Sequence, residues 1–215
     1  MNTFHVKQST LTAMLILAGK KDIRYYINGL LIEWNDKTTK VVATNGHLLG
    51  VYDCMPVEFC ENFNNGTGSV VIPADAILKL PKTTARFDPV VTFTQPEPVL
   101  FPLAWVMTVN GMTIPFEAID AKYPDWRRIT DNLKTTNEPA GYNLSYLNDF
   151  EKCGNILAGG TKLKTMNRTV IHQNGNSGAL VEFNGVDYFA GVIMPTRAAT
   201  GSAGALFPSS LTAKL

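Results

Sequence analysis

The amino-acid sequence predicts an α+β fold in which antiparallel sheets carry helices on one face. The spacing of apolar residues along the 215-residue chain indicates three successive repeats, each with one strand, one helix and three further strands. Asn110-Gly111 and Asn184-Gly185 stand between expected strands, and Asn-Gly is the strongest short signal for a β-hairpin. Hairpins join antiparallel strands, and one helix per repeat covers one side of a sheet, which together indicate the α+β class.

The first repeat begins with an expected strand at residues 4–6 and a helix at 10–18. Ser9 is a suitable N-cap for this helix, and Gly19 stands where a helix commonly ends. An Asn-Asp-Lys turn separates the first two of the three strands that follow. These strands are expected at 23–33, 39–43 and 47–51.

The second repeat follows a polar, glycine-rich stretch at residues 62–68. A strand is expected at 69–72, and Pro73 is well placed to open a short helix, because proline is favoured at the first helical position. Pro81 ends this helix, since proline cannot continue it. The remaining strands are expected at 89–94, 99–109 and 112–116.

The third repeat is expected to start with a strand at 141–144, before a helix at 145–153 that Gly154 closes. Its other strands are expected at 168–172, 177–183 and 188–194. The rest, residues 198–215, is small and polar without a clear period, and we interpret it as a loose tail.

Length, charge and cysteine usage limit the classes of function. The chain corresponds to roughly 1.4 domains at about 150 residues each. A net charge of +1 excludes a strongly basic body but leaves room for a basic stripe. No apolar run approaches the ~20 residues of a membrane span, and the N-terminus lacks signal-peptide features. Cys54, Cys60 and Cys153 cannot all pair and have no metal-ligand spacing, which predicts a reducing cytoplasm.

Three segments of the chain carry a family resemblance. The first is Asp-Ile-Arg-Tyr-Tyr-Ile-Asn-Gly-Leu at 22–30, followed by Val-Ala-Thr-Asn-Gly-His-Leu-Leu at 42–49. The second is Tyr-Pro-Asp-Trp-Arg-Arg-Ile at 123–129. The third combines Gly-Tyr-Asn-Leu-Ser-Tyr-Leu at 141–147 with Val-Ile-Met-Pro-Thr-Arg at 192–197. In this order they resemble the middle domain, the following linker and the second half of the last domain of the bacterial DNA polymerase III beta subunit (sliding clamp) family.

The resemblance implies a DNA-clamp fold in a shortened form. The first domain of the family and the first half of its last domain have no counterpart in this sequence. The implied division is a complete clamp-like domain of two modules at 1–122, a linker at 123–140, a half domain of one module at 141–198, and a flexible tail at 199–215.

The resemblance also implies a pocket between these two parts that receives short linear peptides of DNA polymerases and repair proteins. Its apolar positions would bury a leucine or aromatic anchor, each worth roughly 1.5–3 kcal/mol when fully buried. Its histidine and arginines would orient peptide carbonyls or carboxylates. The implied pocket positions are Ile27, Thr44, Gly46, His47, Leu48, Leu49, Pro124, Arg128, Ile129, Val192, Met194, Pro195, Thr196 and Arg197.

Three positions depart from the family's motifs and affect the expected shape of this pocket. Asn45 replaces the usual aspartate, Leu48 replaces an arginine or similar polar residue, and Thr196 replaces a methionine. The peptide preference of this chain is therefore expected to differ in detail from that of the family.

Contact with duplex DNA is a further implication of the resemblance. The run Arg24, Tyr25 and Tyr26 falls where the family contacts DNA. Lysines near the helices would add a loose basic lining for DNA. The alternative interpretation is that these lysines are ordinary solvated residues that favour the helix dipole. The lysines considered are Lys20, Lys21, Lys79, Lys82 and Lys152.

Two functions of different kinds remain open from the sequence. One is a reduced, phage-like clamp that assembles into a homo-dimer or a four-chain ring through its unpaired third module. The other is a non-ring decoy or adaptor that competes with a host clamp for peptides. Neither requires a cofactor, a metal or catalytic residues. His172 and Ser177 are not a predicted hydrolase site, because the sequence around the serine lacks a nucleophile elbow. A separate alternative is that the tail binds the pocket of its own chain through Leu206-Phe207.

Overall fold

The computed structural model describes residues 2–35, 37–54, 67–82, 87–96, 103–136, 138–159 and 169–196. Within these ranges the strands are β1 (Thr3–Lys7), β2 (Gly29–Trp34), β3 (Thr39–Thr44), β4 (Leu48–Cys54), β5 (Gly68–Pro73), β6 (Val90–Thr94), β7 (Ala104–Val109), β8 (Met112–Glu117), β9 (Thr169–His172), β10 (Ala179–Phe183) and β11 (Phe189–Ile193). The helices are α1 (Gln8–Leu15), α2 (Ala74–Ile77), α3 (Arg127–Thr130) and α4 (Leu144–Leu157), and a 3-10 turn spans Tyr25–Ile27.

All pairs among these described strands are antiparallel, and the strands form two sheets. The smaller sheet has the order β1-β6-β7-β8, and the larger has the order β5-β2-β3-β4-β11-β10-β9. The predicted α+β class with antiparallel sheets is confirmed. The sheets do not follow the three predicted repeats, because β1 joins strands of the second repeat and β5 joins strands of the first.

The start of α1 differs from the prediction. The N-cap is Lys7 and makes no side-chain cap, whereas Ser9 lies within the first turn. There the Ser9 N–H and hydroxyl donate to the two carboxylate oxygens of Asp88, at 2.9 and 2.6 Å. A carboxylate from a distant segment therefore satisfies one of the N–H groups of the first turn that lack a partner within the helix.

Two predictions at the beginning of the larger sheet and in the third repeat are also wrong. The expected strand at 23–33 begins only at Gly29, after the 3-10 turn. The expected strand at 141–144 is reduced to one bridge between Gly141 and Thr196, and Leu144 already belongs to α4. α4 does not end at Gly154 as predicted but continues to Leu157. A Cβ at Gly154 would meet the Phe183 ring at 3.1 Å, so the glycine allows the helix to approach β10.

The larger sheet packs against the main core on one face, and strands β2 to β5 and β11 contribute to a second cluster on the other face. Alternate residues of its strands, such as Leu30 and Ile32, belong to the main core, where α1 and α4 pack side by side. The intervening residues, such as Leu31, form a second cluster with Tyr123. The Tyr123 hydroxyl accepts a hydrogen bond of 3.1 Å from the Thr44 N–H, which holds the segment after β8 against this second face.

Several predicted features lie outside the described residues. They are the tail at 199–215, Arg197, Cys60, the first residues of the strands predicted at 99–109 and 168–172, and most of the stretch at 62–68.

Candidate functional site

A cavity of about 180 Å³ lies where the turn between β3 and β4, the segment before α3 and the end of β11 meet. It is smaller than the roughly 300–1,000 Å³ of typical small-molecule sites, which suits one apolar anchor of a larger ligand. Its lining residues are Arg24, Tyr26, Ile27, Thr44, Gly46, His47, Leu48, Leu49, Pro124, Ile129, Val192 and Met194.

The apolar floor of the cavity is set by the pairing of β4 with β11. Leu49 and Val192 stand directly opposite each other in this pairing, and both are buried in the second cluster. Met194 follows β11, and its N–H donates to the carbonyl of His47 at 2.9 Å. Met194 and Ile129 are each 43% exposed, so apolar surface is open to a ligand at the cavity mouth.

The turn between β3 and β4 is held by its own side chains. The Asn45 Oδ1 accepts from the N–H groups of His47 and Leu48 at 2.9 and 2.8 Å. The Thr44 hydroxyl donates to the Leu48 carbonyl at 2.6 Å and accepts from the Gly46 N–H at 3.1 Å. The asparagine that replaces the usual aspartate thus makes an Asx-type turn, which an aspartate would also make.

Gly46 is required by the geometry of this turn. Its φ of +89° lies in the left-handed region, and a Cβ would lie 2.6 Å from the Arg24 guanidinium. A side chain at this position would therefore displace Arg24 from the cavity wall.

Arg24 supplies a fixed positive charge at the edge of the cavity. It donates to both carboxylate oxygens of Asp22 at 2.9 and 2.8 Å, and to the Asn45 carbonyl at 3.2 Å. The hydrogen bond from Arg24 lowers the pKa of Asp22 to about 2. Asp22 therefore stays ionised at physiological pH, and the pair keeps Arg24 beside Gly46.

The structure separates the run that the sequence analysis assigned to DNA. Arg24 and Tyr26 line the cavity, whereas the Tyr25 side chain is 59% exposed and meets Tyr26 edge-on. Tyr26 directly precedes Ile27, a predicted pocket residue, and this adjacency was the available signal for a place in the same wall. The sequence offers no comparable signal for Arg24.

His47 joins the cavity to α4. Its ring stacks on the Tyr146 ring with centroids 5.5 Å apart and planes at 17°. Tyr146 was not among the predicted site residues, although it lies in the resembling segment at 141–147. The stacking positions the His47 side chain at a rim formed by two different parts of the chain.

Ten of the fourteen predicted pocket residues line this cavity. Arg128 is exposed on α3 and does not line it, and the Thr196 N–H donates to the Gly141 carbonyl instead. Pro195 also lies outside the lining, and Arg197 lies outside the described residues. The neighbouring Arg127 makes a bidentate pair with Glu33, at 2.9 and 2.8 Å.

A larger groove of about 580 Å³ lies beside the cavity, between the segment at 118–127 and strands β2 and β5. It contacts Trp34, Trp105 and Trp126, and the Arg127–Glu33 pair lies at its edge. Apart from Pro124, none of the residues that line this groove was a predicted site residue. Its volume exceeds that of the cavity, but the predicted site residues converge on the cavity, and Pro124 is the one of them that also contacts the groove.

The five lysines considered for DNA are all exposed. Lys20 and Lys21 follow α1, Lys79 and Lys82 follow α2, and Lys152 lies on α4. Their helical surroundings agree with either interpretation offered from the sequence.

Metal and thiol chemistry find no support in the part of the chain that the structure describes. It contains no group of three or more His, Cys, Asp or Glu side chains arranged to hold a metal ion. Cys54 and Cys153 are free and buried, and burial raises the pKa of the Cys54 thiol to about 12. Among the described residues, every helix is too short or too polar to cross a membrane.

Comparison with known proteins identifies relatives of this chain. The family model described as DNA polymerase III beta subunit, central domain, matches residues 5–125. The beta sliding clamp of Buchnera aphidicola subsp. Rhopalosiphum padi is 33% identical over 84 residues, covering 37% of this chain and 22% of that protein. The beta sliding clamp of Pseudomonas putida KT2440 is 26% identical over 132 residues, covering 59% of this chain and 33% of that protein. The aligned region thus spans a third or less of these relatives.

A solved structure shares the fold over a longer stretch. The crystal structure of the DNA polymerase sliding clamp from Pseudomonas aeruginosa matches with a TM-score of 0.62 and 22% sequence identity. The match covers 92% of this chain and 67% of that chain. The clamp-like fold therefore extends beyond residues 5–125.

Proposed function

The chain belongs to the DNA polymerase III beta subunit family, and on that premise we propose that it is a non-enzymatic DNA replication accessory protein that binds short peptides. One observation carries the peptide-binding part of this proposal. Predicted pocket residues from four separate stretches of the sequence converge on one partly apolar cavity. The partners that this function requires are clamp-binding peptides of DNA polymerases and repair proteins.

The mechanism is burial of an apolar anchor, with the peptide backbone held at the rim. Ile27, Leu49 and Val192 are already buried and form a fixed floor. Met194 and Ile129 at the mouth supply further apolar area, and methionine adapts its shape to varied ligands. The Arg24 guanidinium and the His47 ring offer donors to carbonyl or carboxylate groups of the peptide.

We expect a Gln-Leu-x-Leu-Phe peptide to bind this cavity with micromolar affinity, which corresponds to about −8 kcal/mol. The leucine and phenylalanine side chains would supply most of this free energy through burial. Fluorescence anisotropy of the labelled peptide measures the affinity, and the same peptide with alanine at both leucines and the phenylalanine is the control. Absence of saturable binding up to millimolar protein would contradict the proposal.

Contact with duplex DNA is the second part of the proposal. We infer that Tyr25, which belongs to the run that the family resemblance places at DNA, and the exposed lysines meet the phosphate backbone. Phosphate contacts release counterions, so the measured affinity for duplex DNA is expected to fall steeply as salt rises from about 50 to 200 mM. An affinity that is unchanged over this range would exclude phosphate contacts.

Two modes of action are compatible with a peptide pocket, and the pocket itself favours neither a ring nor a free subunit. All its lining residues belong to one chain, so a decoy or adaptor that competes with a host clamp needs no assembly. A ring that encircles DNA would instead be retained on closed circular duplex at high salt and released when the duplex is cut. Release from both forms of DNA would favour the adaptor.

A further inference from the structure

The region from β1 to β8 contains a reciprocal exchange of strands. β1 precedes α1 and pairs with β6, whereas β5 precedes α2 and pairs with β2. Each strand that leads into a helix therefore extends the sheet formed by the strands of the other repeat. This exchange ties the two sheets together through backbone hydrogen bonds.

The region from α4 to β11 contains a strand that could accept such a partner, β9, and a segment that could be donated, residues 138–143. Within the described residues, neither is paired in the way that β2 and β5 are. β9 pairs with β10, and no other strand of the described residues lies along its outer edge. The segment before α4, residues 138–143, has one bridge in the described structure, between Gly141 and Thr196. One acceptor edge and one donor segment are thus both open.

Two equivalent hydrogen bonds, one in each region, indicate that the segment before α4 corresponds to β5. The Ile119 N–H donates to the Val71 carbonyl at 2.9 Å, and the Thr196 N–H donates to the Gly141 carbonyl at 2.8 Å. Val71 and Gly141 each lie three residues before the first residue of a helix. The other edge of β5 is occupied by β2, where Val71 stands opposite Leu31.

The orientation of the open edge follows from strand geometry. Successive residues of an extended segment direct their N–H and C=O groups to opposite edges. Gly141 faces Thr196, so Ala140 and Tyr142 direct their backbone groups to the unoccupied side. Among the described residues, no backbone hydrogen bond uses the Ala140 N–H.

The residues of β9 are less buried than those of β2, the corresponding strand that has a partner along its outer edge. β2, which β5 covers, is buried at every position except half-buried Glu33, whereas all four residues of β9 are only half buried. Ile171 on β9 and Leu157 on α4 pack against the core but remain partly exposed. The Tyr142 hydroxyl is buried and makes no hydrogen bond in the described structure.

We propose that a second copy of this chain completes the exchange, with residues 139–143 of each copy laid along β9 of the other. The occupant is a second copy because the donor and the acceptor lie in the same region of one chain. A reciprocal exchange between identical regions has two-fold symmetry, and each copy contributes the same surface. The dimer also covers an edge strand that would otherwise promote aggregation.

The test removes one backbone donor from the proposed interface. Ala140→Pro deletes the N–H that faces the open edge. Because both copies carry the substitution, each dimer loses two hydrogen bonds. We expect the dimer dissociation constant to rise by about 30-fold in sedimentation velocity over a concentration series. Thr135→Pro, in the same connecting segment but outside residues 139–143, is the matched control and should leave the dissociation constant unchanged.

Hydrogen exchange of the unmodified chain provides an independent measurement that does not depend on the folding of the variant. The β9 amides should gain protection as the protein concentration rises through the dissociation constant. A chain that remains monomeric at all concentrations, or a dimer that Ala140→Pro leaves intact, would overturn the proposal. Protection of β9 at every concentration in a monomer would overturn it as well, because another segment of the same chain would then cover the edge.

Discussion

Replacing Met194 by glutamate is expected to weaken binding of the Gln-Leu-x-Leu-Phe peptide by at least about 100-fold. Met194 lines the cavity mouth and is 43% exposed, so the substitution acts mainly on the bound state. A glutamate there removes apolar contact with the anchor and places a carboxylate where the peptide would strip it of water. Anisotropy titration of the labelled peptide measures the change.

Met112 offers a closely matched control for this experiment. It is also a methionine, it is 49% exposed, and it lies on β8, outside the lining of the cavity. Met112→Glu should therefore leave the peptide affinity within about two-fold of the original, since exposed substitutions rarely act at a distance. If both variants bind like the unmodified chain, the peptide does not use this cavity.

Replacing Gly29 by alanine is expected to destabilise the chain by about 3 kcal/mol, at the upper end of the usual cost of overpacking. A Cβ at Gly29 would overlap the carbonyl oxygen of Ile72, which belongs to the backbone of β5 and cannot rotate away. Gly29 stands opposite Pro73 at the end of the β2–β5 pairing. The new methyl group would therefore force the two strands apart. Urea unfolding followed by circular dichroism measures the free energy.

The control for this variant is Gly111→Ala. Gly111 has a φ of +77° and no atom within 4 Å of its Cβ position, so its alanine meets backbone strain without a clash. A cost of about 1 kcal/mol is expected for the left-handed conformation alone. Equal destabilisation by the two substitutions would show that β5 moves aside at little cost.

Local signals in the sequence were reliable where the local chain alone determines the geometry. Asn110-Gly111 forms the expected tight turn, with positive φ at both residues, +49° and +77°. At Asn184-Gly185 only the glycine has positive φ, and β11 starts at Phe189, so the connection is longer than a two-residue hairpin. The same dipeptide thus gave different turns because the surrounding strands end at different places.

The wrong predictions share a dependence on distant residues. Ser9 was expected to cap α1, but Asp88 from a distant segment takes that role. Residues 141–144 have the position of a strand, but within the described residues they are paired by one bridge alone, and a strand requires continued pairing with a neighbour. Neither the position of Asp88 nor the extent of strand pairing is visible in the local pattern.

The candidate site was accessible mainly through the family resemblance. Composition and periodicity alone do not bring Ile27, Leu49 and Met194 together, because they lie on separate elements. The resemblance grouped them, but it did not indicate that Arg24 and Tyr26 line the same cavity or that Arg128 lies outside its lining. The direction of a side chain at a short turn or helix depends on local backbone geometry, which a matched motif does not specify.

The pairing of β4 with β11 has a consequence for how a ligand enters. It runs the length of β11, Phe189–Ile193, so the walls of the cavity are joined by continuous backbone hydrogen bonds. A hinge motion between those walls would break that ladder. Admission of a peptide then depends on rotation of flexible side chains at the mouth, and little conformational entropy is lost by the backbone on binding. The site is preorganised, and its selectivity rests on shape at the mouth more than on closure around the ligand.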